Sequence, residues 1–163
     1  MSSRTIELTV NGEPVEESVG PMETLQSVLR DRLGQTDTKI GCKQGGCGSC
    51  TVLVDGEPVV SCLLPAEEVA GQEITTVEGL TENGELHPLQ EAFFDNFAAQ
   101  CGYCTPGMIM TSKALLDRNP DPSEEEIETA LSGNICRCTG YEPIIEAVEV
   151  AASEMDGQGG DPA

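Results

Sequence analysis

The stretch GCKQGGCGSC, Gly41 to Cys50, packs three thiols and four glycines into ten residues. With Cys62 it completes the spacing C-x4-C-x2-C-x11-C. Three thiolates from one loop must converge on a small anionic group. The loop has to wrap tightly and turn its backbone N–H groups inward. Gly41, Gly45, Gly46 and Gly48 permit the positive φ angles of such a nest. The leading C-x4-C-x2-C run is the plant-type spacing of a [2Fe–2S] site, whose potential lies near about −400 mV. Cys42, Cys47 and Cys50 are thus candidate iron ligands, and Cys62, placed on the strand after a hairpin, closes the cage. The competing reading is a zinc ribbon, which uses paired C-x2-C knuckles and matches this loop poorly.

The sequence on either side of the loop reads as strands. Ile6, Leu8 and Val10 alternate with polar residues, as a half-buried strand requires. Asn11-Gly12 marks a tight hairpin turn, and Val15 and Val19 belong to the returning strand. Leu25, Val28, Leu29 and Leu33 fall on one helical face, which Gly34 ends. Thr51–Val54 and Val59–Cys62 form a second hairpin around Asp55-Gly56, and Glu73–Val77 adds a last strand. Residues 1–80 are therefore expected to form a small α+β domain, with Glu78–Glu85 as a polar linker.

Residues 84–155 read as four helices. Leu89, Phe93 and Phe97 recur every four residues. Thr105-Pro106 looks like an N-cap followed by proline at the first helical position, leading into Met108, Ile109, Leu115 and Leu116. Ser123 and Glu126 make a capping box before Ile127, Ala130 and Leu131, and Gly133 stops that helix. Ile144, Ile145, Val148 and Ala152 define the fourth. The tail 156–163 (DGQGGDPA) is expected to be disordered.

The helical half carries the other four cysteines. Cys101 and Cys104 form a C-x2-C pair, and Cys136 and Cys138 a C-x-C pair. Thirty-one residues separate the two pairs. Each pair precedes a helix, where free N–H groups and the positive end of the dipole favour thiolates. The spacing alone leaves zinc open beside an iron–sulfur group.

At these residues a resemblance emerges. GCKQGGCGSCTV (Gly41–Val52), QCGYCTPGMIM (Gln100–Met110) and GNICRCTGY (Gly133–Tyr141) resemble the iron–sulfur subunit of the molybdenum hydroxylases. That family is of the xanthine dehydrogenase, aldehyde oxidoreductase and carbon monoxide dehydrogenase type. The match runs from about residue 4 to 153 with the motifs in order. Ser49 stands where the family often has Ala. The resemblance implies a β-grasp, ferredoxin-like [2Fe–2S] domain followed by a four-helix [2Fe–2S] domain. It implies two [2Fe–2S] clusters, one on Cys42, Cys47, Cys50 and Cys62 and the other on Cys101, Cys104, Cys136 and Cys138. It further implies a large partner with a molybdopterin cofactor and a medium partner with FAD. Gln100 and Cys138 would then reach the pterin edge, and electrons would leave molybdenum through the helical cluster, then the plant-type cluster, to FAD. A chain of this length is expected to be one subunit of such an oxidoreductase. The alternative is a free-standing two-cluster electron carrier.

Composition narrows the setting. Twenty-nine acidic residues against eight basic ones give a net charge of −21, a poor match to nucleic acid or anionic membrane. Such a surface serves solubility in the plainest reading; because it repels itself and carries only three Lys, the sharper reading is a salt-rich, halophilic cytosol. No signal peptide or membrane span is visible, so a soluble, cytoplasmic protein is expected, and eight cysteines in a reducing compartment favour metal over disulfides. His87, the only histidine, sits at a helix start beside Pro88 and is expected to cap it or to be solvated rather than to act in catalysis. Tyr103 and Tyr141 are expected to pack. Arg137 is expected to meet a carbonyl or an interface. No Ser–His–Asp set, phosphate-cradling loop or catalytic carboxylate pair stands out.

Overall fold

A computed structural model describes residues 3–158 of the chain. The N-terminal part is a five-stranded mixed sheet, β1 Arg4–Val10, β2 Glu13–Val19, β3 Thr51–Val54, β4 Glu57–Val60 and β5 Glu73–Thr75, in the order β2-β1-β5-β3-β4. β1 runs parallel to β5, and every other neighbour is antiparallel. Both hairpins turn on residues with positive φ, Asn11 and Gly12 (51° and 81°) and Asp55 and Gly56 (49° and 83°). Those are the conformations a two-residue turn needs to match the strand twist.

Alternation decides which side each strand buries. Ile6, Leu8 and Val10 of β1 join Val52, Val54 and Ile74 in one core, closed by Leu25, Val28 and Leu29. The helix carrying those last three residues is short. α1 Leu25–Ser27, capped by the Thr24 hydroxyl, widens into a π-helical turn over Val28–Arg32. Arg30 donates to the carbonyls of Thr36 and Thr38 and so ties the following loop to this turn.

The second half packs four helices, α2 Pro88–Asp95, α3 Thr105–Arg118, α4 Glu124–Leu131 and α5 Glu142–Gln158. Their core contains Leu89, Phe93, Met108, Met110, Ile127, Ile144 and Val148, and it also takes Leu53 from β3. β3 is therefore buried on both faces, with Val52 and Val54 toward the sheet's own core and Leu53 toward the helices. That shared strand locks the two halves together, next to the thiol-bearing loop that precedes it. Burying one Leu-sized side chain this way contributes about 2 kcal/mol. The α+β architecture expected from sequence, a β-grasp-like sheet then four helices, is the one observed.

Several local expectations are corrected. Cys62 lies on a 3-10 turn, Ser61–Leu63, because β4 ends at Val60. Phe97 is outside α2. The helix closes as a Schellman motif, with Ala98 N–H donating to Phe93 O and Phe97 N–H to Phe94 O, so Phe97 sits at φ 54° and turns outward. Cys104, not Thr105, is the N-cap of α3, with Pro106 inside its first turn. The last helix continues through Asp156 to Gln158, into the stretch whose composition predicts a tail; residues 159–163 lie outside the described residues. The Ser123–Glu126 capping box and the His87 cap are as expected, His87 Nδ1 accepting from Leu89 N–H at 3.2 Å.

Candidate metal centres

The loop from Gly41 to Cys50 coils through three left-handed residues, Lys43, Gly45 and Gly48 (φ 55°, 73° and 71°). This winding turns N–H groups toward sulfur. Gln44 N–H donates to Cys42 Sγ at 3.3 Å. That bond, then the neighbouring Cys47 thiol, pulls the Cys42 thiol down to about 7. Ser49 Oγ lies 3.2 Å from Cys47 Sγ. Gly41 leaves no room for a side chain, since a Cβ there would meet Cys47 Sγ at 2.5 Å and Ser49 Oγ at 2.6 Å. The fourth thiol arrives by way of Ser61, whose Oγ donates to Cys50 O at 2.7 Å and fixes the 3-10 turn. Burial pushes the Cys62 thiol up to about 11, and the facing Cys50 thiol adds to this.

The second set forms where α3 and α5 begin. Cys138 Sγ lies 3.6 Å from Cys101 Sγ, and both residues are exposed. Cys104 and Cys136 face each other deeper in. Burial, then the Cys136 thiol, pushes Cys104 up to about 12. At Cys136 burial acts upward but is outweighed by the Thr139 hydroxyl, which donates to its Sγ at 3.2 Å, and by the N–H groups of Cys138 and Thr139, so the thiol is lowered. Cys101 is lowered by Tyr103 N–H and by Cys138, and Cys138 is raised by Cys101. In each of these two helical pairs one thiol is lowered, Cys101 or Cys136, while its neighbour, Cys138 or Cys104, is raised. A bound cation supplies what the second sulfur lacks.

Each set is built from two facing pairs: Cys42 with Cys47 and Cys50 with Cys62; Cys101 with Cys138 and Cys104 with Cys136. A zinc tetrahedron needs all four ligands on one centre. A [2Fe–2S] group takes two thiolates on each of two irons, and paired thiols fit it.

Residues beside the ligands also shape the sites. Tyr141 does more than pack, because its hydroxyl accepts from Cys136 N–H at 2.9 Å. Tyr103 reaches across the two halves and donates to Ile40 O at 2.6 Å. Asn134, buried, donates to Gly48 O at 3.1 Å. Only its place two residues before a ligand could have singled it out. Arg137 is exposed and makes no hydrogen bond or ion pair among the described residues. Gln100 is exposed beside Cys101, on the side of the helical half where Cys138 also reaches the surface.

The comparisons with known proteins agree with the geometry. Residues 8–81 match the family described as "2Fe-2S iron-sulfur cluster binding domain" and residues 76–149 the family described as "[2Fe-2S] binding domain". The chain is 49% identical to the nicotinate dehydrogenase small FeS subunit of Eubacterium barkeri, over 93% of this chain and 96% of that one. It is 47% identical to the nicotine 6-hydroxylase small subunit of Paenarthrobacter nicotinovorans, over 95% of this chain and 93% of that one. The chain belongs to the small iron–sulfur subunits of the molybdenum hydroxylases. Among solved structures, quinoline 2-oxidoreductase from Pseudomonas putida 86 superposes with a TM-score of 0.92 at 46% identity, covering 98% of this chain and 99% of that one. This iron–sulfur subunit therefore carries two [2Fe–2S]-binding domains and is part of an oxidoreductase. No helix among its described residues is long and apolar enough to cross a membrane.

Proposed function

We propose that this subunit relays electrons between a large molybdopterin-bearing partner and a medium FAD-bearing partner, with Cys101, Cys104, Cys136 and Cys138 holding the first [2Fe–2S] group and Cys42, Cys47, Cys50 and Cys62 the second. The observation that carries the reading is the pairing of thiols, two pairs per set, with one set opening to the surface at Cys101 and Cys138. When bound, each [2Fe–2S] group supplies one-electron storage. The chain supplies the rest. Backbone N–H groups of Gln44 and Tyr103 and the Thr139 hydroxyl aim at sulfur and stabilise its charge. The buried Cys62 and the half-buried Cys104 line the inner side of each site. Gln100 and Cys138, both exposed, would be the residues that meet the pterin edge of the large partner.

Two exposed phenylalanines favour a fixed partner over a freely diffusing carrier. Phe94 and Phe97, on the helical half, are 78% and 75% exposed. Apolar area of that kind is characteristic of a surface buried in an assembly. The chain would work in the cytoplasm, and the net charge of −21 supports a salt-rich one. The names of the relatives, nicotinate dehydrogenase and quinoline 2-oxidoreductase, make N-heteroaromatic compounds the first substrates to try with the assembled enzyme.

The test is iron and acid-labile sulfide per chain in anaerobically purified protein, with EPR after reduction. About four of each and two distinct spin-half signals are expected. Zinc in place of iron, or a single signal with half the sulfide, would overturn the assignment. Copurification with two larger chains, one retaining molybdenum and one FAD, tests the partners.

A further inference from the structure

Ser49 is only 4% exposed, and Cys47 Sγ, at 3.2 Å, is the hydrogen-bond partner of its hydroxyl among the described residues. A thiol facing a hydroxyl leaves the direction of that bond open, since either group can donate. A thiolate that ligates iron has no proton to give. With the sheet-side site filled, Ser49 must donate and the sulfur must accept. A buried hydroxyl so placed is aimed at the sulfur before an electron arrives, and it acts without reorganising.

The surroundings hold the hydroxyl there. A Cβ at Gly41 would lie 2.5 Å from Cys47 Sγ and 2.6 Å from Ser49 Oγ, so the bare glycine is what lets the two atoms sit side by side. From the other half of the chain, Gly107 of α3 backs Ser49 directly, and a Cβ on it would meet Ser49 Cα at 3.0 Å. The other donor to a sheet-side sulfur described above is a backbone group, Gln44 N–H on Cys42, which no side-chain substitution removes. Ser49 is therefore the adjustable donor of its site. Thr139 Oγ1, donating to Cys136 Sγ at 3.2 Å, has the same place in the helical set.

We propose that Ser49 is a positioning residue that sets the reduction potential of the sheet-side iron–sulfur site, by donating its hydroxyl hydrogen to Cys47 Sγ. This rests on the cluster assignment proposed above. One electron enters the site and places added negative charge on its sulfurs. The Ser49 O–H bond stays intact, and its donation strengthens as charge on Cys47 Sγ grows. The reduced form thus gains more than the oxidised form. The hydroxyl raises the potential and makes the sheet-side site the better acceptor for an electron that leaves the helical one.

The experiment uses the assembled holoenzyme and the variant Ser49→Ala, which removes one oxygen and adds nothing to a crowded site. Iron and sulfide are counted first. Each EPR signal is assigned to its site by which one disappears in Cys62→Ser and in Cys104→Ser. An EPR-monitored titration with dithionite then reads both potentials in one sample. Ser49→Ala is expected to keep both clusters and to make reduction of the sheet-side site about tenfold less favourable, a fall of about 59 mV for one electron. The helical site should keep its potential, because Thr139 still donates to Cys136. A sheet-side potential that stays or rises, with both clusters intact, overturns the proposal. An equal fall at both sites also overturns it, since a general disturbance and not one hydroxyl would then be at work. Loss of sheet-side iron in Ser49→Ala overturns it too, and makes the residue a structural part of the loop. Absence of two clusters in the unmodified enzyme would instead overturn the cluster assignment, which the iron and sulfide counts reveal separately.

Discussion

Gly107, in the first turn of α3, lies against the carbonyl of Gly48, and a Cβ at Gly107 would run into that oxygen and the adjacent Ser49 Cα. The contact joins the helix that begins at Cys104 to the loop that carries Cys47 and Cys50. A Gly107→Ala change must therefore push backbone away from backbone, which no rotamer change can relieve. We expect a loss of about 1–3 kcal/mol in stability, the usual cost of overpacking. It should appear as a lower thermal midpoint together with reduced iron in the sheet-side site. An unchanged midpoint with full iron would show that the interface has slack.

The two sites are held by separate turns, so losing one should spare the other. Cys62→Ser removes a ligand from the sheet-side set without touching α3 or α5. We expect roughly half of the iron and one of two EPR signals to disappear. Cys104→Ser should remove the other signal. Loss of both signals in either variant would mean that the halves fold only as one metal-dependent unit.

Much of this was legible in the residues because the decisive signals are local. The Gly41–Cys50 loop, the Asn11-Gly12 and Asp55-Gly56 turns and the Ser123–Glu126 box each specify their geometry within a few residues. What escaped was set by distant packing. Phe97 keeps the four-residue rhythm of α2, yet Ala98 closes the helix onto Phe93 and leaves Phe97 outside. Leu53 sits in a strand whose other side is occupied by helices, which alternation cannot reveal. Tyr141 and Asn134 take their roles from partners five and eighty-six residues away, Cys136 and Gly48. The pairing of the thiols likewise needed three dimensions, because spacing gives the ligands without saying which face which.

The charge has a measurable consequence. With 29 acidic and 8 basic residues, and three basic side chains already paired as Arg32 with Glu17 and Glu23, Lys113 with Asp117 and Arg118 with Glu57, most carboxylates face only one another or water. Salt shortens the Debye length from about 10 Å at 0.1 M to about 3 Å at 1 M and relieves that repulsion. The thermal midpoint should climb steadily in potassium chloride over this range. A flat or falling midpoint would remove the case for a salt-rich setting.

His87 gives the chain a distinct response to acid. Its Nδ1 accepts the Leu89 N–H, so the cap on α2 needs the neutral ring. Burial lowers its pKa below the usual 6.5, Lys113 lowers it further, and Asp117 and Glu82 pull only weakly the other way. A depressed histidine stabilises the fold fully above its unfolded pKa and loses that contribution as pH falls through the folded value. Stability should therefore drop as pH is lowered below about 6.5, the unfolded value. His87→Asn keeps a good capping side chain without a titrating group. Comparing thermal midpoints of the two proteins at pH 7.5 and pH 5.5 cancels the titration of the carboxylates they share. The unmodified chain should lose more on acidification than the variant. Equal losses would mean that protonated His87 is accommodated without breaking the cap.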